Sequence, residues 1–354
     1  MHSGGSGRVS RRGFIGALAV AVAPFPGAGA QVGAAAASAS DGVSGIEVAA
    51  RRIGSFERTS SARTFGRLTF RGGLVLTSPS PDFGGFSGLI LDREGRDFVA
   101  VTDEGHWMSA RIAYDGTAPS GIEGARMGTI RARSGAALTR KREKDCEAIA
   151  LAEGTLQRGV VLMAFERLHR IGRFPVERGV IGAPLSYLTM PAEARQMRSN
   201  SGFEAVTMFS GGPNKGRVIA FSERFHRDGG QHVGWIWVDG QPRRFEMTEK
   251  NGCDVTDCVS LDDGTLVVLE RRFRWTEGVK MQLRLVRPDE VRAGATVKGE
   301  ILFSGGMQYD IDNMEALGVS RDTSGRVVLT LMSDNNFNNF LQRTILLQFT
   351  LGAG

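Results

Sequence analysis

Carboxylates recur in this chain at matched places. Glu147, Glu204 and Glu315 each stand directly before a short apolar run: Ala148-Ile149-Ala150-Leu151, Ala205-Val206-Thr207-Met208 and Ala316-Leu317-Gly318-Val319. Two looser copies complete the set, with Asp257 before Cys258-Val259 and Ser87 before Gly88-Leu89-Ile90-Leu91. A second acid follows each copy and closes a second apolar run: Asp103, Glu166, Glu223, Glu270 and Asp334. Acids crowded together cannot all stay ionised unless a cation compensates them. Oxygen-only ligands suit Ca²⁺, which accepts several carboxylates in loose geometry. Glu147, Glu204 and Glu315 are the leading ligands for such an ion. Asp257, Asp103 and Asp334 are the next choices.

Other residues around these acids offer further chemistry. His106, His169 and His226 each lie three residues after the second acid and are candidate general acids or bases, as is Asp103. The same repetition also fits histidines packed at a turn. Arg167, Arg224 and Arg271 follow Glu166, Glu223 and Glu270 directly. They suit bidentate recognition of a phosphate or ester oxygen if they face the site, and simple pairing with the preceding acid if they do not. No Gly-x-Ser-x-Gly elbow is present, because Gly85-Phe86-Ser87-Gly88-Leu89 lacks the final glycine, which argues against a serine esterase.

The elements that position these groups read as β-hairpins. Between the two apolar runs of each copy lies a turn such as Asp92-Arg93-Glu94-Gly95, Ala152-Glu153-Gly154 or Asp262-Asp263-Gly264. The start of the first strand and the end of the second share one end of an antiparallel hairpin. The two acids of each copy are therefore neighbours. The period of roughly 50–60 residues is close to that of propeller blades, whose first strands line a central channel. The expected fold is an all-β propeller with the acids at one channel mouth. Five hairpins are visible. Strands within Gly45–Ser78 and at the chain terminus are expected to build a sixth blade.

Composition agrees. The chain has 354 residues, 48 glycines and 41% apolar residues, enough for a large core. One helix is expected, Pro191 to Arg198, opened by proline and ending in a basic turn. Cys146, Cys253 and Cys258 are the cysteines. Cys253 and Cys258 are close enough to pair, and buried free thiols fit equally well; no zinc spacing exists.

The N-terminus reads as an export signal. Ser10-Arg11-Arg12-Gly13-Phe14-Ile15 is a twin-arginine motif, followed by an Ala-rich apolar stretch and the small-x-small site Ala28-Gly29-Ala30. The expected division is a signal peptide over 1–30, a disordered Ala/Ser-rich linker over 31–43 and the propeller over 44–354. The protein is then periplasmic or secreted, with the twin-arginine export machinery as a partner and no membrane span. Formal net charge is +6, and residues 1–30 hold Arg8, Arg11 and Arg12 without an acid. The remainder is only mildly basic, which gives no case for nucleic acid. One basic run, from Arg131 to Lys144, reads as a solvated loop or as a phosphate-attracting rim.

These motifs resemble the phytase-like family described as "esterase-like activity of phytase". The resemblance rests on Gly85-Phe86-Ser87-Gly88-Leu89, Thr102-Asp103-Glu104-Gly105, Asp145-Cys146-Glu147-Ala148-Ile149, Gly202-Phe203-Glu204-Ala205-Val206 and Asp312-Asn313-Met314-Glu315-Ala316-Leu317. It covers roughly Phe65 to the C-terminus. It implies an exported propeller with a calcium-dependent phosphoester or ester hydrolase role and a small-molecule substrate. Ser87 and Asp257 depart from the family's Glu pattern. Two other readings stand beside it: a non-catalytic binding propeller with a structural Ca²⁺, and a lactonase-like hydrolase.

Overall fold

Among the described residues there are five sheets, antiparallel except where Thr296–Val297 joins Gln241–Thr248 in parallel, and each is built around one of the five hairpins read from the sequence. The computed structural model describes residues 42–197, 202–222 and 230–352. The innermost strands are Phe86–Leu91, Cys146–Gly154, Phe203–Met208, Asp254–Ser260 and Asn313–Arg321, in blades 1 to 5. Each packs against the next, and the strand of blade 5 packs against that of blade 1, so the ring closes. The fold is an all-β propeller.

It has five blades, not the expected six. The N-terminal strand Leu68–Thr77 pairs antiparallel with the C-terminal strand Thr344–Leu351, inside the sheet that already holds the fifth hairpin. Ala49–Ile53 extends the same sheet. The two chain ends thus share one blade, which covers an edge that would otherwise stay unpaired.

Period-two alternation explains how blades stack. Val99 and Val101 of blade 1 face Val161 and Met163 of blade 2, whereas Phe98 and Ala100 face Met332 and Leu346 of blade 5. Among the described residues, five apolar clusters fill the five gaps between neighbouring blades. At Gly88 two inner strands pack closely. A Cβ there would fall 2.8 Å from the Ile149 backbone nitrogen.

One irregularity repeats in all five blades. Near its start each inner strand slips by one residue against its partner, a β-bulge. The bulged residues are Ser87, Glu147, Glu204, Thr256 and Glu315. Thr256, not Asp257, therefore occupies the ring position in blade 4. Its hydroxyl donates to the Met314 carbonyl of blade 5 at 3.3 Å, as Ser87 donates to Cys146 of blade 2 at 2.6 Å.

Helix is scarce. The segment expected to be helical forms a 3-10 turn at Ala192–Gln196, too short to propagate. Among the described residues a single α-helical turn, Lys141–Lys144, lies in the basic run. The three cysteines are free and buried, so Cys253 and Cys258 are not paired. No helix among the described residues is long and apolar enough to cross a membrane. The export signal and most of the linker lie outside the described residues.

Candidate metal centre

The bulges set the ring residues at the channel mouth, where the second strands of the hairpins also end. There Asp145, Glu147 and Glu166 converge, with one carboxylate oxygen of each within 4.8 Å of the others. The Cys146–Gly154 strand carries Glu147 at its bulge, and Asp145 precedes it. Glu166 follows the second strand, and its N–H donates to Asp145 O at 2.9 Å. This short bond holds both ends of the hairpin together.

Asp103 and Glu315 border this trio, and Asp334 lies beside them. Gly85, at φ +65°, makes room for Asp103, because a Cβ there would sit 2.2 Å from Asp103 Oδ1. Burial pushes the Glu147 carboxyl well above its ordinary range, and Asp145, Asp103, Glu166 and Glu315 push it further. Burial likewise raises Asp103, against the hydrogen bond from Lys141. Asp334 is pushed up to about 7 by burial, with the Asn336 N–H opposing and Glu315 and Asp103 adding to the rise. Burial raises Glu315 too, although Arg271 lies 2.9 Å away.

Among the described residues Lys141, Arg167 and Arg271 reach into the mouth. Lys141 Nζ sits 2.8 Å from Asp103 Oδ2, 3.0 Å from Glu104 Oε1 and 2.7 Å from Asp145 Oδ1. Arg167 Nε holds the other Asp145 oxygen at 2.5 Å. Arg271 pairs with Glu315. The basic run is thus neither a purely solvated loop nor a free phosphate rim, since Lys141 and Lys144 are committed to Asp103, Glu104 and Asp145.

The sequence-derived candidates divide as follows. Glu147, Glu315 and Asp103 are brought into mutual electrostatic reach, and Asp334 into reach of Glu315 and Asp103. Glu204 occupies the same bulge position in blade 3. Asp257 is turned away from the ring and accepts the Cys258 and Leu317 N–H groups at 2.8 and 2.7 Å, which ties blade 4 to blade 5. Arg167 and Arg271 bond to Asp145 and Glu315 rather than to the acids preceding them. Glu270 instead forms a buried pair with Arg284, joined by Gln282 at 2.7 Å. His106 stands on the rim, 3.8 Å from Asp82, where burial depresses its pKa against that carboxylate. His169 packs edge-on to Phe203, with ring centroids 6.4 Å apart. Neither histidine joins the carboxylate trio. Glu223, Arg224 and His226 lie outside the described residues.

Asp145 and Glu166 are the site residues that sequence reasoning passed over as ligands. The chemistry of the donor set fits a hard divalent cation: it is all oxygen, and Asp103 Oδ1 is buried without a hydrogen-bond partner in the described structure. The far end of the channel is different in kind. Its cavity of about 670 Å³ has aliphatic walls, with Leu89, Ile149 and Val259 among them, and charged residues such as Asp92, Arg93 and Arg321 in its lining.

The family model for phytase-like proteins, "Esterase-like activity of phytase", matches residues 81–337. The chain belongs to this family. Every carboxylate of the phytase-like mouth named above falls within the matched span. Among curated proteins none matches the chain. Among solved structures, an endo-arabinase from Bacteroides thetaiotaomicron is 12% identical, with TM-score 0.46, over 76% of this chain and 95% of that one. The Pan2 WD40 domain of Neurospora crassa is also 12% identical, with TM-score 0.38, over 82% and 98%. Likenesses this distant bring no function with them.

Proposed function

We propose that this phytase-like chain is an exported, calcium-dependent hydrolase of carboxylic or phosphoric esters that works at the carboxylate mouth. The observation that carries the reading is the convergence of Asp145, Glu147 and Glu166 within 4.8 Å. Family membership supports the hydrolase class. Asp145, Glu147 and Glu166 would hold the ion, with Asp103 and Glu315 close by. Bound there, a divalent cation lowers the pKa of water and screens a developing negative charge.

The chain's own groups supply the rest. Arg271, anchored by Glu315 at 2.9 Å, is placed to orient an ester or phosphoryl oxygen. Asp334, pushed up to about 7, can hold or release a proton near neutral pH, where such a group serves best as general acid or base. Lys141 and Arg167 fix Asp145 and keep the trio from splaying.

The test is hydrolysis of p-nitrophenyl acetate and p-nitrophenyl phosphate by protein beginning at Gln31. Turnover with calcium and none with chelator is expected. Equal turnover in both, or turnover unchanged by Glu147→Gln, would refute the reading. The export half rests on Ser10-Arg11-Arg12-Gly13-Phe14-Ile15. Replacing Arg11 and Arg12 together by Lys should hold the protein in the cytoplasm; unchanged export would end that part.

A further inference from the structure

Beside the mouth lies a cleft of about 660 Å³ between blades 4 and 5. This is within the range of small-molecule sites, roughly 300–1,000 Å³. One end is polar and carries Arg271 and Glu315, which belong to the mouth. The other end is apolar and carries Phe273, Trp275, Met307 and Leu341. These four come from three loops that share the mouth end of the molecule. Phe273 is the last residue but one of Leu266–Arg274, and Trp275 opens the turn that leads to Gly278–Val286. Met307 follows Glu300–Gly305, and Leu341 precedes Thr344–Leu351.

Their exposure is unusual for such side chains. Trp275 is 93% exposed, Leu341 72% and Phe273 51%. Phe273 and Trp275 meet edge to face with ring centroids 5.5 Å apart. A wall of large apolar groups left in water costs free energy unless something covers it. Here the wall leads directly to a polar end with a fixed Arg–Glu pair. That combination, a wide apolar face with a few oriented polar groups, is the usual form of a small-molecule site.

Charge narrows the class of occupant. Asp103, Asp145, Glu147, Glu315 and Asp334 crowd the adjoining mouth. Three guanidinium groups line the cleft, and each has a carboxylate partner: Arg271 with Glu315, Arg343 with Asp310 at 2.9 Å and Asp312 at 3.4 Å, and the half-exposed Arg58 more loosely with Asp310 at 3.8 Å. A polyanion would meet like charge and committed forks.

We infer that this cleft selects esters that carry one aromatic or bulky apolar group, with the ester end at Arg271 and Glu315, and that it disfavours polyphosphorylated polyols. This rests on the hydrolase reading of the mouth and deepens it. The group stacked on Trp275 is the specificity handle, and Leu341 closes over its other side.

Binding of non-hydrolysable phosphonates tests this independently of turnover, because a P–C bond is not cleaved by ester hydrolysis. Calorimetry on the calcium-loaded protein should show benzylphosphonate binding at least about tenfold more tightly than methylphosphonate, which has the same head and no ring. Inositol hexakisphosphate should bind more weakly than benzylphosphonate. Trp275→Ser combined with Leu341→Ser should bring the benzyl-to-methyl ratio close to one. Both residues are exposed, so the double variant should keep the wild-type melting response to calcium. Equal binding of the two phosphonates, a ratio that survives the double variant, tighter binding of the hexakisphosphate, or no binding of benzylphosphonate would each overturn the inference. A retained benzyl preference without ester turnover would sink the hydrolase reading and leave the cleft assignment standing.

Discussion

The Lys141 ammonium lies 2.7 Å from Asp145 Oδ1, so one of the three converging carboxylates is already held by a cation of the chain itself. Burial alone would lower the lysine pKa, yet Asp103, Asp145 and Glu104 outweigh it and hold the ammonium charged well above its ordinary range. The one-turn helix Lys141–Lys144 carries this charge. It has no buried residue of its own, and its last backbone bond runs from the Asp145 N–H to Lys141 O.

Lys141→Met removes that charge and leaves Asp103 and Asp145 facing each other. In chelator the variant should lose about 1–2 kcal/mol, a value discounted from the buried-pair range because the lysine side chain is partly exposed. Calcium should restore more of the loss than it adds to wild type. Denaturant melts of both proteins, with and without the ion, measure this. A variant as stable as wild type in chelator would show that the ammonium contributes nothing there.

Asp334 gives stability a pH dependence of known sign. Its folded pKa of about 7 is raised from 3.8, so the folded state binds this proton more tightly than the unfolded one. Stability in chelator should therefore fall as pH rises from about 4 to about 7, and level off above that. Asp334→Asn keeps an acceptor for the Asn336 N–H, now made at 2.7 Å, but cannot ionise. Its stability profile should be flatter across that window and higher than wild type at pH 8. A parallel profile would remove Asp334 from the account.

Asp257 should behave as a strut. Asp257→Ala strands the buried N–H groups of Cys258 and Leu317, at a cost of about 1–3 kcal/mol for each group left unpaired. Calcium affinity, read by calorimetry at a temperature where the variant is folded, should not change. A tenfold loss of affinity would make Asp257 a ligand after all.

The hairpins and their common end were legible in the sequence, because each carries two apolar runs and a Gly/Asp turn within one short stretch. What depends on distant pairing was not. Leu68–Thr77 joins Thr344–Leu351 across nearly the whole chain, and no local pattern announces that two half-blades are one. The bulge was equally silent. One inserted residue moves Thr256 onto the ring and turns Asp257 off it, although Asp is the better match by residue type.

Adjacency misled at Glu166 and Glu270. Successive side chains of extended backbone point to opposite faces, so an Arg next in sequence is the poorest placed to pair with the acid before it. Arg167 reaches Asp145 and Arg271 reaches Glu315, and Glu166 lies in the trio with Asp145 and Glu147. The Lys141 turn was hidden for another reason. Four charged residues in a row have no apolar periodicity, and only the acids they meet give them a structure.

The central claim is that the mouth carboxylates form a divalent-cation site. Thermal melting of the protein in calcium and in chelator tests it most directly, with Glu147→Gln beside wild type. An ion at about 100 times its dissociation constant should stabilise the native state by about 2.7 kcal/mol, a rise of several degrees in Tm. Glu147→Gln keeps the shape, relieves repulsion from Asp145, Asp103, Glu166 and Glu315, and removes a ligand. It should melt at or above wild type in chelator and gain little from calcium. Identical wild-type melting in calcium and chelator, with no heat of binding by calorimetry, would contradict the account.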